Sequence, residues 1–171
     1  MILEEFDENR QAIINPEDLV EALPDFPETV VSCFARETFK RMLADFQHEL
    51  LASTSMANIE IPIYKVFVEE REIALFNAPV GASACVAILE DLIAFGMKKL
   101  VLFGTCGVLD EDIKETSIIV PHTAIRDEGT SYHYLPASDE IEVNVGLRDF
   151  LLSFLTKNKI SHSTGKVWTT D

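Results

Sequence analysis

Basic residues are scarce in this sequence: 14 lysines and arginines stand against 29 aspartates and glutamates, a formal charge of −15. They form no Lys/Arg cluster, which excludes the phosphate backbone of a nucleic acid and an anionic membrane surface as partners, because both are held by clustered cations. Cysteines are few. Cys33, Cys85 and Cys106 are odd in number, widely spaced and set in apolar or Gly/Ala-rich stretches, so a disulfide framework is excluded and reduced thiols in a cytoplasm are expected. No apolar run approaches a membrane span, and the opening "MILEEFDENRQ" lacks the basic start and long apolar stretch of an export signal. Internal repeats, low-complexity tracts and linkers are also missing, which leaves residues 1–171 as a single domain.

What is present is a chain that is 47% hydrophobic, enough for one real core. "INPEDLVEAL" predicts a helix from Pro16 to about Leu23, with Asn15 as N-cap and Glu17 and Asp18 in the first turn, where acids suit the helix dipole. Thr29 to Phe34 has the β-branched content of a buried strand. Phe39, Met42, Leu43, Phe46 and Leu50 recur at helical spacing from Arg36 onward. "ASTSMAN" reads as a loop, and Ile61–Val68 and Glu72–Pro79 as a hairpin about Glu69-Glu70-Arg71.

Gly81-Ala82-Ser83 then opens a helix that closes at Gly96, and the apolar strand "LVLFG" follows. Ile73 to Gly104 is thus a strand, helix and strand, the size of a βαβ crossover. A strand from Ser117 to Val120 is expected to stop at Pro121, before the polar loop "RDEGTSYHYLPASDE". A helix over about Val145–Asn158 and a strand in "GKVWTTD" complete the pattern. Alternating strands and amphipathic helices predict an α/β fold with a mostly parallel sheet.

Ligands of such sheets bind beyond the carboxyl ends of the strands. That rule selects Gly81-Ala82-Ser83, Gly104-Thr105-Cys106-Gly107 and the loop beyond His122. Glycine turns at strand ends expose backbone N–H groups to an anion, and Ser83 and Thr105 add hydroxyls. On spacing alone the glycines serve equally well just to let the chain turn, and Ser83 just to cap a helix. Neither turn is a P-loop or a dinucleotide fingerprint. Cys106 reads as a buried small residue rather than a nucleophile, and His122 and His133 have no metal-ligand spacing. Asp127 and Glu128, adjacent in a turn, diverge too much for paired acid/base work, so no catalytic residue is assigned. Tyr132, His133 and Tyr134 suit either stacking and hydrogen bonding at a ligand site or a contact that covers a core.

The blocks "GASACVAILEDLIAFGMKKLVLFGTCGVL", "IIVPHTAIRDEGTSYHYLP" and "GKVWTTD" together resemble the nucleoside phosphorylase family, in particular its uridine phosphorylase-like bacterial members. The resemblance runs from about Ala78 to Asp171. It implies a three-layer α/β/α fold with a mixed, mostly parallel sheet. It also implies cleavage of a nucleoside's N-glycosidic bond by phosphate, giving ribose 1-phosphate and a free base. By resemblance, Gly81, Ser83, Gly104, Thr105, Cys106 and Gly107 belong to the phosphate and ribose site, with Thr105 touching both groups. Arg126 and His133 fall on a loop near the site's mouth. No metal or organic cofactor is implied; inorganic phosphate is the co-substrate, and a homo-oligomer, a dimer or larger, is expected.

The departures carry as much weight. Orthodox members have an arginine where this chain has Leu102, and a Gly-Asp-Pro segment with a nearby arginine where it reads "SCFARE". Arg36 is the candidate phosphate partner there, and "SMANIEIPIYK" holds no arginine for a neighbouring subunit's site. Relatives continue past "WTTD" into base- and ribose-binding segments, so the C-terminal part of the fold is expected to be absent and the 171-residue chain inactive by itself. Three readings stand: a phosphorylase, a nucleosidase using water, and a non-catalytic nucleoside- or anion-binding remnant.

Overall fold

A computed structural model describes residues 2–113 and 118–170. The Ser117 start of one expected strand and the Asp171 end of another lie outside them. The chain forms two compact units, Asn9–Cys106 and Gly107–Asp171 with Met1–Glu8.

The Asn9–Cys106 unit runs α1 (Pro16–Leu19), β1 (Thr29–Cys33), α2 (Arg36–Asp45), β2 (Gln47–Met56), β3 (Ile59–Val68), β4 (Arg71–Asn77), α3 (Ala82–Phe95) and β5 (Lys99–Phe103). Its strands form one sheet in the order β2-β3-β4-β1-β5. β1 lies parallel to β4 and β5, pairing Val30 with both Ala74 and Leu100. The β4-α3-β5 crossover is present as expected, with β1 seated between its two strands. The β2-β3-β4 meander is antiparallel because its turns are too short for a crossover. Ala57 and Glu69 take φ of 52° and 55° to make those turns.

Strand alternation sorts the core into two faces. Val30, Ile61, Ile63, Ala74 and Phe76 pack with Cys85, Ile88, Leu92 and Phe95 of α3. Cys33, Val66 and Leu75 pack with Phe39 of α2. Helix, sheet and helix are therefore the three layers within this unit.

Two expectations fail here for identifiable reasons. α2 stops at Asp45 instead of continuing to Leu50, and "ASTSM" belongs to β2 rather than a loop. Phe46 and Leu50 fit the helical period, yet they are 40% and 63% exposed; the interior strand β3 takes a second antiparallel neighbour instead. A register shift between Leu50 and Ala52 re-phases that edge strand. It leaves Thr54 buried, with its hydroxyl bonded to Asp91 of α3. α1 is also shorter than read, ending at Leu19. Asn15 begins it, its N–H donating to Asp18 Oδ2 at 2.8 Å, while further on Leu23 N–H donates to Phe95 O at 3.1 Å.

The second unit carries β6 (Ile118–Asp127), β7 (Glu140–Glu142), α4 (Val145–Lys157) and β8 (His162–Thr170), in the sheet order β7-β6-β8. A 3-10 turn, Thr130–His133, stands between β6 and β7. β6 does not stop at Pro121. The register shifts between Pro121 and Thr123, so a bulge absorbs the proline and the strand runs on to Asp127. Arg126 and Asp127 are strand residues as a result. α4 starts at Asn144, whose Oδ1 accepts from Leu147 N–H at 2.9 Å, and it packs against β6 and β8. Among the described residues, three of the six strand pairings are parallel and three antiparallel. The fold is mixed as expected, with fewer parallel pairings than "mostly parallel" implies.

Candidate functional site

Because β1, β4 and β5 are parallel, their carboxyl ends fall on one edge: Cys33 pairs with Asn77 on one side and with Phe103 on the other. Three segments leave the sheet there, Phe34-Ala35-Arg36 after β1, Ala78 to Ser83 after β4, and Gly104-Thr105-Cys106 after β5. Asn77 ties the first two together. Its Nδ2 donates to Cys33 O at 2.7 Å and to Phe34 O at 3.1 Å, and Ala78 N–H donates to Cys33 O at 3.0 Å.

Phe34 joins the third. A Cβ added at Gly104 would lie 3.0 Å from the Phe34 ring, so a side chain at this turn would make the ring give way by a few tenths of an ångström. Asn77 and Phe34 were missed by sequence reasoning. The one available signal was a lone amide closing the apolar run "IALFN".

Gly81 sits at φ 105°, a conformation that L side chains rarely adopt, and precedes the first residue of α3. That helix start has no side-chain cap and no acidic residue in its first turn. Its first N–H groups therefore point past the sheet edge without a carboxylate from the first turn to neutralise them. Ser83 lies in this turn and is exposed, as are Gly104, Thr105 and Cys106. Arg36 is the first residue of α2, exposed on the same edge. The structure thus brings Arg36, Gly81, Ser83, Gly104, Thr105 and Cys106 to one sheet edge.

Cys106 is exposed, not the buried small residue read from the sequence, since β5 ends at Phe103 and the chain has left the sheet before the thiol. Cys33 and Cys85 are the buried thiols; desolvation pushes both above their ordinary pKa, and at Cys33 a hydrogen bond with the Ala35 backbone partly offsets this. Both stay protonated near neutral pH and are unsuited to nucleophilic work.

Gly107, Arg126 and His133 belong to the other unit. His133 is exposed at the end of the 3-10 turn. Arg126 is turned inward, 6% exposed, and its guanidinium is spent on the segment that follows it.

The phosphorylase superfamily model matches residues 35–171, which take in Ala35 and Arg36 of the first segment and the whole of the other two. The chain belongs to the phosphorylase superfamily. Among curated relatives, a DeoD-type purine nucleoside phosphorylase of Buchnera aphidicola is 30% identical over 114 residues, covering 63% of this chain and 47% of the relative. The chain spans about half the length of the curated relatives it matches.

Two solved structures share the fold. Uridine phosphorylase from Vibrio fischeri aligns with a TM-score of 0.75 at 21% identity, covering 94% of this chain and 66% of its own. Purine nucleoside phosphorylase from Toxoplasma gondii, in complex with immucillin-H, aligns with a TM-score of 0.75 at 19% identity, over 89% and 63% of the two chains. The nucleoside phosphorylase resemblance read from the three sequence blocks is borne out. Among the described residues no helix of this superfamily member is long and apolar enough to cross a membrane.

Proposed function

We propose that the edge formed by β1, β4 and β5 binds phosphate and the pentose of a nucleoside, and that this binding serves phosphorolysis of the N-glycosidic bond. The C1′–N bond breaks and the electron pair leaves with the base, which takes up a proton. A phosphate oxygen bonds to C1′ and gives ribose 1-phosphate. The observation that carries the reading is the uncapped start of α3 beside the Gly104-Thr105 turn. β1 separates the two, so by strand spacing they stand about 10 Å apart, room for a phosphate and a sugar.

Backbone N–H groups and the helix dipole favour the anion, and the Ser83 and Thr105 hydroxyls supply further donors. The transition state resembles an oxocarbenium ion, so an anion fixed beneath C1′ stabilises it more than the ground state. In this reading phosphate is the co-substrate and no organic cofactor takes part.

A hydrolytic reading is favoured by one observation. Arg36 is the one arginine in the three segments, and Leu102 stands two residues before the β5 turn; water needs fewer cations than a phosphate dianion.

The test gives the 171-residue chain uridine or inosine with and without inorganic phosphate, and follows base release and Tm. The expected result is that phosphate and nucleoside each raise Tm, and that any base release requires phosphate. Release without phosphate establishes the hydrolytic reading instead. Failure of both compounds to shift Tm contradicts the proposal.

A further inference from the structure

Asn77 closes the apolar run of β4 with an amide, half-buried where that strand leaves the sheet. Both of its N–H donors are spent on backbone carbonyls. Nδ2 donates to Cys33 O at 2.7 Å, in the last residue of β1, and to Phe34 O at 3.1 Å, in the first residue beyond it. Cys33 O accepts a second bond, from Ala78 N–H at 3.0 Å. The segments that follow β1 and β4 are thus fastened to each other at their first residues.

Pairing of the strands does not call for this amide. The β1–β4 ladder ends with Cys33 opposite Asn77, and Phe34 O lies beyond it. A half-buried amide costs desolvation that an apolar residue would avoid, and its bonds to carbonyls at and past the ladder's end offset that cost.

Phe34 carries the fastening to the third segment. Its carbonyl is held by Asn77, and its side chain packs against the face of the core that α3 covers. The ring stands where a Cβ on Gly104 would meet it at 3.0 Å, and Thr105 is the next residue. On the other side of β1, Ala78 begins the segment that turns at Gly81, φ 105°, into the start of α3. One amide therefore governs how far the Thr105 hydroxyl stands from the first turn of that helix. Close packing passes such a displacement on, because the ring has little room to yield.

Resting on the function proposed above, we infer that Asn77 is a positioning residue for phosphate: through Phe34 it fixes the Gly104-Thr105 turn at the distance from the start of α3 that the anion requires.

The test compares wild type, N77L, F34L and the double variant by Tm without ligand, by the Kd for inorganic phosphate at constant ionic strength, and by the amide shifts of Gly104 and Thr105 in the ¹⁵N-labelled chain. Leucine matches the branching of asparagine without a donor or a charge, so N77L removes the two bonds and adds no repulsion toward the anion. Its expected result is about tenfold weaker phosphate binding, with the Gly104 and Thr105 amides shifted before any phosphate is added, because they sense the ring current of Phe34. F34L weakens phosphate binding similarly, and the double variant is little weaker than either single one, the non-additivity of two residues acting in series.

N77A follows N77L in direction and decides the matter if the leucine variant fails to fold. A lowered Tm with phosphate affinity unchanged overturns the inference and leaves a purely structural asparagine. Losses that add in full in the double variant overturn the route through Phe34. Absence of phosphate binding in the wild type overturns the functional reading, and the inference with it.

Discussion

Phe76→Ala should lower the stability of the Asn9–Cys106 unit by about 3–5 kcal/mol. Phe76 is fully buried in β4, opposite Ile63 of β3, in the face of the sheet that α3 covers. Its own carbonyl accepts from the buried Ser32 hydroxyl at 2.9 Å, so the backbone is held while the ring is removed. A backbone pinned in this way collapses poorly into the space, which places the loss at the upper end of the range for ring deletions. Against a total of about 5–15 kcal/mol for an ordinary domain, the variant sits near the edge of folding. Urea denaturation reads this as a large drop in midpoint with the slope unchanged. Phe150→Ala, at a side chain 65% exposed on α4, is the control and should move stability by no more than about 0.5 kcal/mol. A Phe76→Ala loss below about 1 kcal/mol contradicts the packing described.

Thr105→Ala should weaken phosphate binding by about ten- to a hundredfold, the effect of one lost hydrogen bond to a charged group. Thr105 is exposed just beyond β5, so its removal opens no cavity and the Tm without ligand should stay put. Separation of affinity from stability is what distinguishes a binding hydroxyl from a packing one. Ser83→Ala, in the first turn of α3, should act in the same direction, since the site as read uses both hydroxyls. Titration with inorganic phosphate at constant ionic strength measures both variants. Equal affinity for Thr105→Ala and wild type removes Thr105 from the site.

Much of the layout that makes this edge was legible, because chemistry punctuates it. Gly81 and Gly96 bracket α3 with φ of 105° and 134°, and the strands on either side are continuous apolar runs. The family resemblance was legible for a related reason: its three blocks carry the strand-end turns, where residue identity is constrained by approach distance as at Gly104.

Elsewhere the local code pointed the wrong way. The α2–β2 boundary was hidden because Phe46 and Leu50 continue a helical period by coincidence, while the demand for a strand comes from β3, a tertiary neighbour. Pro121 looked like a terminator because the bulge that tolerates it is set by pairing with β8. The inward turn of Arg126 was illegible for the same kind of reason: two of its acceptors are the backbone carbonyls of Leu135 and Pro136, which residue types do not reveal. An arginine in a polar stretch looks available to a ligand until the path of the chain is known.

The central claim is that the sheet edge shared by β1, β4 and β5 holds an anion. Amide chemical shifts of the ¹⁵N-labelled chain, followed through a titration with inorganic phosphate at constant ionic strength, test it most directly. The account predicts saturable shifts concentrated at Ala82, Ser83 and Ala84 and at Gly104, Thr105 and Cys106, with smaller changes at Arg36. Shifts that never saturate, or that map away from these turns, contradict it.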